Sequence, residues 1–255
     1  MSNMNNLTLI ENNYELIDNL DSFAIDKDKI VYLLDLIKKL LFPKYFVLDK
    51  SNEEIYEEIK TILSDEIKKV DVDYERTTDE FLERLPDVQE MLYKDVIAIY
   101  DGDPSCKTYS EVILSFPGFV GVFDYRIAHE LYELNVPIIP RIMAEHAHET
   151  YGIDINPGAK IGEYFCIDHG TGIVIGETAT VGHHVRMYHG VTLGVRKFTK
   201  DEKGALLKGG KRHPDVGNYV TIYANATILG GDTVIEDYSA IATGSLITES
   251  STERW

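Results

Sequence analysis

The sequence predicts an α+β fold: an N-terminal all-α helical domain over residues 1–151, then a parallel β-helix of hexapeptide repeats over residues 152–255. Two observations carry this. Apolar residues recur at helical spacing up to about Tyr151, and from Gly152 onward the period becomes six. A third refines it, because a basic segment at 194–213 leaves the six-residue period and the chain then returns to it.

In the first half, Ile30, Leu33, Leu34, Ile37 and Leu40 line one face of a first helix, and Ile55, Ile59, Ile62 and Ile67 line a second. Ser51 with Glu54, and Thr77 with Glu80, have capping-box spacing: the hydroxyl accepts from a free N–H and the carboxylate reaches back. Pro86 is expected to end or kink the third helix, and Asp101-Gly-Asp-Pro104 has turn chemistry. Further helices fit Phe119–Leu134 and Pro140–Tyr151.

In the second half, counting in sixes from Ile155 reaches Ile161, Ile167, Ile173, Ala179, Val185 and Val191. After the interruption the count resumes at Val216, Ile222, Ile228, Val234, Ala240 and Leu246. Eleven of these thirteen positions are Ile, Val or Leu and two are Ala, which suits a solenoid whose hexapeptides are short strands with one inward aliphatic each. Three hexapeptides close a coil, so this reading expects eighteen residues per coil.

Composition excludes several classes. With 43 acidic against 25 basic side chains the net charge is −18, so nucleic acid and anionic membranes are repelled. Cys106 and Cys166 have no zinc spacing around them and read as free thiols. The N-terminus lacks a signal-peptide pattern and no apolar run is long enough to span a bilayer, so a soluble, cytoplasmic protein is expected. The segment Gly194 to His213 departs from this acidic chain, with seven basic residues against Asp201 and Glu202. It reads as a positive arm for a phosphate-bearing ligand, or as a plain solvated loop.

Of the eight histidines, His129, His146 and His148 lie on predicted helices and read as structural or surface residues. His169 lies beside Asp168 among small residues at a solenoid corner. Asp154 precedes it by fifteen residues, which in an eighteen-residue coil places the carboxylate about one strand spacing (~4.8 Å) away. There it could fix the imidazole tautomer and leave the other nitrogen basic.

The segments Gly152-Ile-Asp-Ile-Asn-Pro-Gly-Ala-Lys-Ile-Gly162, Ile167-Asp-His-Gly-Thr-Gly-Ile-Val-Ile-Gly-Glu-Thr178, Gly190-Val-Thr-Leu-Gly194 and Lys211-Arg-His-Pro214 together resemble serine O-acetyltransferase, a family of hexapeptide-repeat acyltransferases. The resemblance reaches upstream through Asp103-Pro104 and Phe116–Glu130, and so covers about residues 90 to 248. It implies a left-handed β-helix, with acetyl-CoA and L-serine as substrates and no metal. It further implies His169 as general base with Asp154 orienting it, Asp103 and Asp168 holding the ammonium of serine, and Arg212 and His213 holding its carboxylate. Ala224 and Ala242 match positions whose backbone amides contact coenzyme A, and the basic loop would close over that ligand. O-Acetylserine, the precursor of cysteine, would be the product, made by a homotrimer or hexamer with active sites between adjacent β-helices.

The chain departs from the family at its end and at His189, where many relatives carry an amide. Family members carry a tail ending in isoleucine that docks into O-acetylserine sulfhydrylase. Trp255 is no equivalent, so weak or absent docking and exposed apolar surface on the last coil are expected.

Three other readings stand beside this one. The acceptor could be homoserine, a sugar or an antibiotic, although Asp103, Asp168 and Arg212 favour a zwitterion. His184 and His189 have the spacing of the γ-class carbonic anhydrases, which use the same solenoid to hold zinc. The last is a scaffold without catalysis, against which the Asp154 and His169 pair argues.

Overall fold

The computed structural model describes residues 22–250 together with Thr8, Ile10 and Glu11; Trp255 and the docking expectation built on it lie outside the described residues. Six α-helices among the described residues precede thirteen short strands. The helices are α1 (Lys27–Leu41), α2 (Asn52–Ile67), α3 (Tyr74–Gly102), α4 (Tyr109–Ser115), α5 (Pro117–Glu133) and α6 (Ile139–Tyr151).

Local chemistry accounts for most of the helix starts. Asp26 accepts from the Lys29 N–H at α1, and Ser51 and Glu54 form the expected reciprocal box at α2. Thr77 differs from the expectation: it lies inside α3, and its hydroxyl donates to Asp71 at 2.8 Å rather than capping. Pro86 likewise does not end α3, which runs from Tyr74 to Gly102 through it. Leu82, Leu85 and Val88 stay buried on either side of Pro86, so packing of that apolar face keeps the helix together where the proline removes one backbone donor.

Gly152, in left-handed backbone at φ 69, ends α6 and turns the chain into β1. The strands form three parallel sheets, which are the three faces of a solenoid matching the left-handed β-helix. The first face holds β1 (Ile153–Ile155), β4 (Ile173–Ile175), β7 (Thr192–Gly194), β10 (Thr227–Leu229) and β13 (Leu246–Ile247). The second holds β2 (Lys160–Ile161), β5 (Thr180–Val181), β8 (Asp215–Val216) and β11 (Val234–Ile235). The third holds β3 (Cys166–Asp168), β6 (Arg186–Tyr188), β9 (Thr221–Ile222) and β12 (Ala240–Ile241).

The strand register keeps the eighteen-residue count between β4 and β7, where Val174 pairs with Thr192, and corrects it elsewhere. Ile153 pairs with Ile173 and Cys166 with Arg186, twenty residues on, while Thr221 pairs with Ala240, nineteen on. Two extra residues at the corner after β3 and one more after Ile228 shift the inward row to Ile175, Val181, Met187, Leu193, Ile235 and Ile241, all buried. Ile173, Ala179, Val185 and Val191 are still buried because they sit two residues earlier on the same inward side. Val234 and Leu246 are not, at 43% and 68% exposed, because the shifted register turns them to the outer side of β11 and β13.

Two cores result, one among the helices and one inside the solenoid. They are joined by a buried ion pair. The Arg126 guanidinium on α5 grips both oxygens of Asp95 on α3, at 2.5 and 2.9 Å, and donates to the carbonyls of Ile161 and Gly162, while Asp95 accepts from the Phe165 N–H. Every polar group in this cluster has a partner, which offsets the cost of burying two charges. No helix among the described residues is long and apolar enough to cross a membrane.

Candidate active site

Three carboxylate or imidazole groups from the two halves of the chain meet at the corner between the third and first faces. His169 follows β3 in left-handed backbone, φ 62, with its side chain 74% exposed and Nε2 3.6 Å from Asp168 Oδ1. The two-residue excess at this corner pushes the ring out of the solenoid. Asp103, the C-cap of α3, arrives from the helical half. Its Oδ1 accepts from the Ser105 hydroxyl at 2.7 Å and from the Ser105 N–H at 2.8 Å; these donors, with a smaller contribution from the nearby His169, hold its carboxyl below the usual carboxylate range. A carboxylate from each half of the chain therefore lies near one imidazole.

Asp154 lies on β1, at the first face that the His169 corner leads into. The twenty-residue coil makes its register partner Val174 rather than a residue fifteen positions on, and no hydrogen bond or ion pair joins it to His169. It is half-buried in the middle of β1, between the inward Ile153 and Ile155.

Arg212 and His213 occupy a different corner, between the first and second faces. Arg212 pairs with Glu177, which also accepts from Tyr132. His213 is 6% exposed, and burial, helped by the Arg212 charge, drops its imidazole to about 4, so the ring is neutral near pH 7. Its Nδ1 accepts from the Thr178 N–H at 3.1 Å, which puts the proton on Nε2 and leaves a donor there. The Thr178 hydroxyl oxygen accepts from the N–H groups of both Arg212 and His213, fixing the pair. A first-face stretch of about five residues separates this corner from His169, on the order of 15 Å at ~3.3 Å per residue. Within one chain, then, the acids and the base are together and the cationic pair is apart from them.

Ala224 and Ala242 lie on the His169 corner, after β9 and β12, but the nineteen-residue coil offsets them by one. Thr221 pairs with Ala240 and Ile222 with Ile241, so Ala242 falls opposite Tyr223. The corner column thus descends from His169 through His189 to Ala224 and Ala242. His189 lies beside His169 with ring centroids 5.8 Å apart, and its Nδ1 is buried without a partner. His184 is on another corner, stacked between Tyr164 and Tyr219, and so β6 separates it from His189. Among the described residues no group of three or more His, Cys, Asp or Glu could hold a metal ion.

The basic segment forms a hairpin with an antiparallel bridge between Lys200 and Leu206, its turn held by Asp201 accepting from the Lys203 and Ala205 N–H groups. It overhangs the Arg212 corner and encloses a groove of about 650 Å³ lined by Lys197, Phe198, Lys208 and Lys211. Sequence reasoning overlooked Glu177, which holds Arg212, and Arg186, which donates to the Gly102 and Ala98 carbonyls. Glu177 and Thr178 stood in the Gly-Glu-Thr run, but nothing in it showed the contact across 35 positions.

Residues 50–122 match the family described as "Serine acetyltransferase, N-terminal". A plasmid-encoded serine acetyltransferase of Synechococcus elongatus is 50% identical over 157 residues, which is 62% of this chain and 49% of that protein. The Bacillus subtilis serine acetyltransferase is 41% identical over 62% of this chain and 68% of its own length. The chain spans about half the length of some of these relatives, the Synechococcus protein and a chloroplastic Arabidopsis serine acetyltransferase among them.

Solved structures agree. Entamoeba histolytica serine acetyltransferase 1 in complex with L-cysteine superposes with a TM-score of 0.79 at 35% identity, covering 91% of this chain and 86% of that one. The Brucella abortus enzyme in complex with coenzyme A gives 0.62 at 28% identity, covering 99% and 85%. The Neisseria gonorrhoeae enzyme in complex with serine gives 0.59 at 28%, covering 86% and 90%. Both halves of the fold are thus covered by these relatives: the chain belongs to the serine acetyltransferase family.

Proposed function

We propose that the protein transfers the acetyl group of acetyl-CoA to the hydroxyl of L-serine, making O-acetylserine for cysteine biosynthesis. The observation that carries this reading is the meeting of Asp103, Asp168 and His169 at one solvent-open corner. Two acids beside a base suit an acceptor that carries both an ammonium and a hydroxyl; a neutral sugar would leave the acids without a counter-charge. The bound serine, coenzyme A and L-cysteine of the Neisseria, Brucella and Entamoeba relatives support the same choice.

In this mechanism, neutral His169 takes the proton from the serine hydroxyl as its oxygen attacks the thioester carbonyl. The coenzyme A thiolate leaves and is protonated. Asp103 and Asp168 hold the ammonium, and holding both reactants at one corner lowers the entropic part of the barrier. Asp154 orients the imidazole once the exposed His169 ring turns toward β1. Ala224 and Ala242 line the coenzyme A path down the same corner, away from His169.

Arg212 and His213 supply the carboxylate clamp, and because they sit across the first face from His169 in the same chain, they serve the site of an adjacent β-helix. A homotrimer, or a hexamer of two trimers, satisfies this requirement. The basic hairpin, rooted at the Arg212 corner, then reaches the phosphates of a coenzyme A bound on the neighbour.

Release of free coenzyme A thiol from acetyl-CoA, measured with L-serine, homoserine, a sugar or no acceptor, tests the reading. Serine-dependent release supports it. Release with a different acceptor keeps the chemistry and overturns the substrate.

A further inference from the structure

We propose that Arg186 is a positioning residue for the acceptor amino group: it clamps the end of α3 and thereby sets where Asp103 stands relative to Asp168 and His169. The inference rests on the assignment of Asp103 and Asp168 to the ammonium of serine, proposed above. Asp103 belongs to the helical half of the chain and Asp168 to the solenoid, so a pocket built from both is only as well defined as the joint between them.

That joint is visible. Arg186 opens β6 and is the direct register partner of Cys166, two residues before Asp168 on the neighbouring coil. From there its guanidinium crosses to the end of α3, donating to the Gly102 carbonyl at 2.6 Å and to the Ala98 carbonyl at 3.4 Å. The Gly102 carbonyl belongs to the last helical turn, where no further N–H continues the ladder and the helix dipole favours a cation.

Gly102 immediately precedes Asp103, so the clamp acts one peptide away from the carboxylate. The next link is local: the Asp103 side chain is tied down by Ser105 and its backbone N–H donates to Ile99. With its own turn rigid, Asp103 takes its position from the helix end that Arg186 holds.

Gly102 is a second, independent observation. A Cβ at this residue would lie 1.1 Å from Arg186 Nη2 and 2.1 Å from Cζ. The guanidinium therefore occupies the space that any other residue at the last helical position would fill. Its φ is not in the left-handed region, so backbone conformation alone does not call for glycine there. Alanine would be accepted by the helix, and the mobile end of the arginine would be the part that moves.

The test uses the full-length protein with Arg186→Met, Arg186→Lys, Gly102→Ala, Asp103→Ala and the double variant Asp103→Ala/Arg186→Met. Steady-state kinetics with L-serine and acetyl-CoA are read beside thermal midpoints. Arg186→Met and Gly102→Ala are expected to raise KM for serine roughly 10- to 100-fold, the range for disturbing a hydrogen-bonded charge. The kcat and the KM for acetyl-CoA should stay within about twofold in both. Arg186→Lys should recover part of the loss, because an ammonium can still reach one carbonyl. The double variant should be no worse than Asp103→Ala alone, since both changes act through the same carboxylate.

An unchanged serine KM in Arg186→Met and Gly102→Ala would overturn the proposal. So would losses that add to those of Asp103→Ala, or a parallel fall in kcat and rise in both KM values with a lowered midpoint, which would make Arg186 a general structural tie. Wild-type protein that turns over no serine would instead sink the assigned reaction, and this inference with it. The wild-type arm therefore tells the two failures apart.

Discussion

At the corner between the second and third faces, Tyr164, His184, Tyr219 and Tyr238 take left-handed backbone, and their rings stack at 4.3, 4.7 and 5.0 Å, nearly parallel. At the next corner His169 has the same backbone, yet its ring stands out into solvent beside Asp168 and Asp103. In the first case each coil repeats the one below it, so one ring falls on another and the aromatic faces offset the cost of the strained φ. In the second, two extra residues break the repeat, and His169 meets the next ring of its column, His189, edge-on at 5.8 Å rather than in a parallel stack. Regularity makes a structural edge here, and a corner lengthened by two residues carries the proposed base.

The comparison breaks most sharply at His169. His169→Asn tolerates the left-handed backbone, so folding should be retained while kcat for thiol release falls about 10²- to 10⁴-fold. Near-normal turnover would mean that the exposed imidazole is not the base.

The structural edge has its own critical point at Asp95, which accepts from the Phe165 N–H next to the first ring of the ladder. Asp95→Ala leaves the Arg126 charge buried and unpaired, and should cost about 3–5 kcal/mol in chemical denaturation. A loss under about 1 kcal/mol would show that the two halves do not depend on this pair.

The Arg212 corner is sharpened by pH. His213 is held neutral, with its imidazole dropped to about 4 from an ordinary 6.5. Above pH 6.5 neither the folded nor the unfolded ring binds a proton and the full stability is present. Between 6.5 and about 4 the unfolded ring protonates first, so stability falls as pH falls, by on the order of 2–3 kcal/mol. Below about 4 both forms are protonated and this loss is complete. Denaturation across that range should be steeper in wild type than in His213→Gln; identical slopes would contradict the burial argument.

The smallest effect is expected in the ladder. Tyr219→Asn keeps a side chain that tolerates φ 57 but removes both stacking contacts of the ring, at a cost of about 1–3 kcal/mol. Kinetic constants should not move; a change in turnover would mean that the regular corner takes part in the reaction.

Much of this was legible in the chain because it rests on short-range rules. The change of period at Gly152, the Ser51 and Glu54 box and the inward row as far as Ile167 depend only on which residue follows which. Thr77 misled, and α3 runs on through Pro86, because burial of the α3 face outweighed the local signal. The eighteen-residue count went wrong after Ile167 for a related reason: the two extra residues at the His169 corner look like any other polar turn, and only the pairing of Asp154 with Val174 reveals them. The Ala224 and Ala242 offset comes from a separate extra residue after Ile228, equally silent in the sequence.

By itself, the sequence determined the solenoid, its helical preface and the types of group available for chemistry, since inward aliphatics every six residues admit few other ways to bury their surface. Only the tertiary structure decided which groups meet. Asp103 joins His169 across some sixty positions, Arg212 finds Glu177, and Arg186 reaches back to Gly102, because coil length and domain docking set distances that no local spacing encodes. Contacts of this kind depend on the summed length of every segment between them, and extra residues at a corner relocate those that span it.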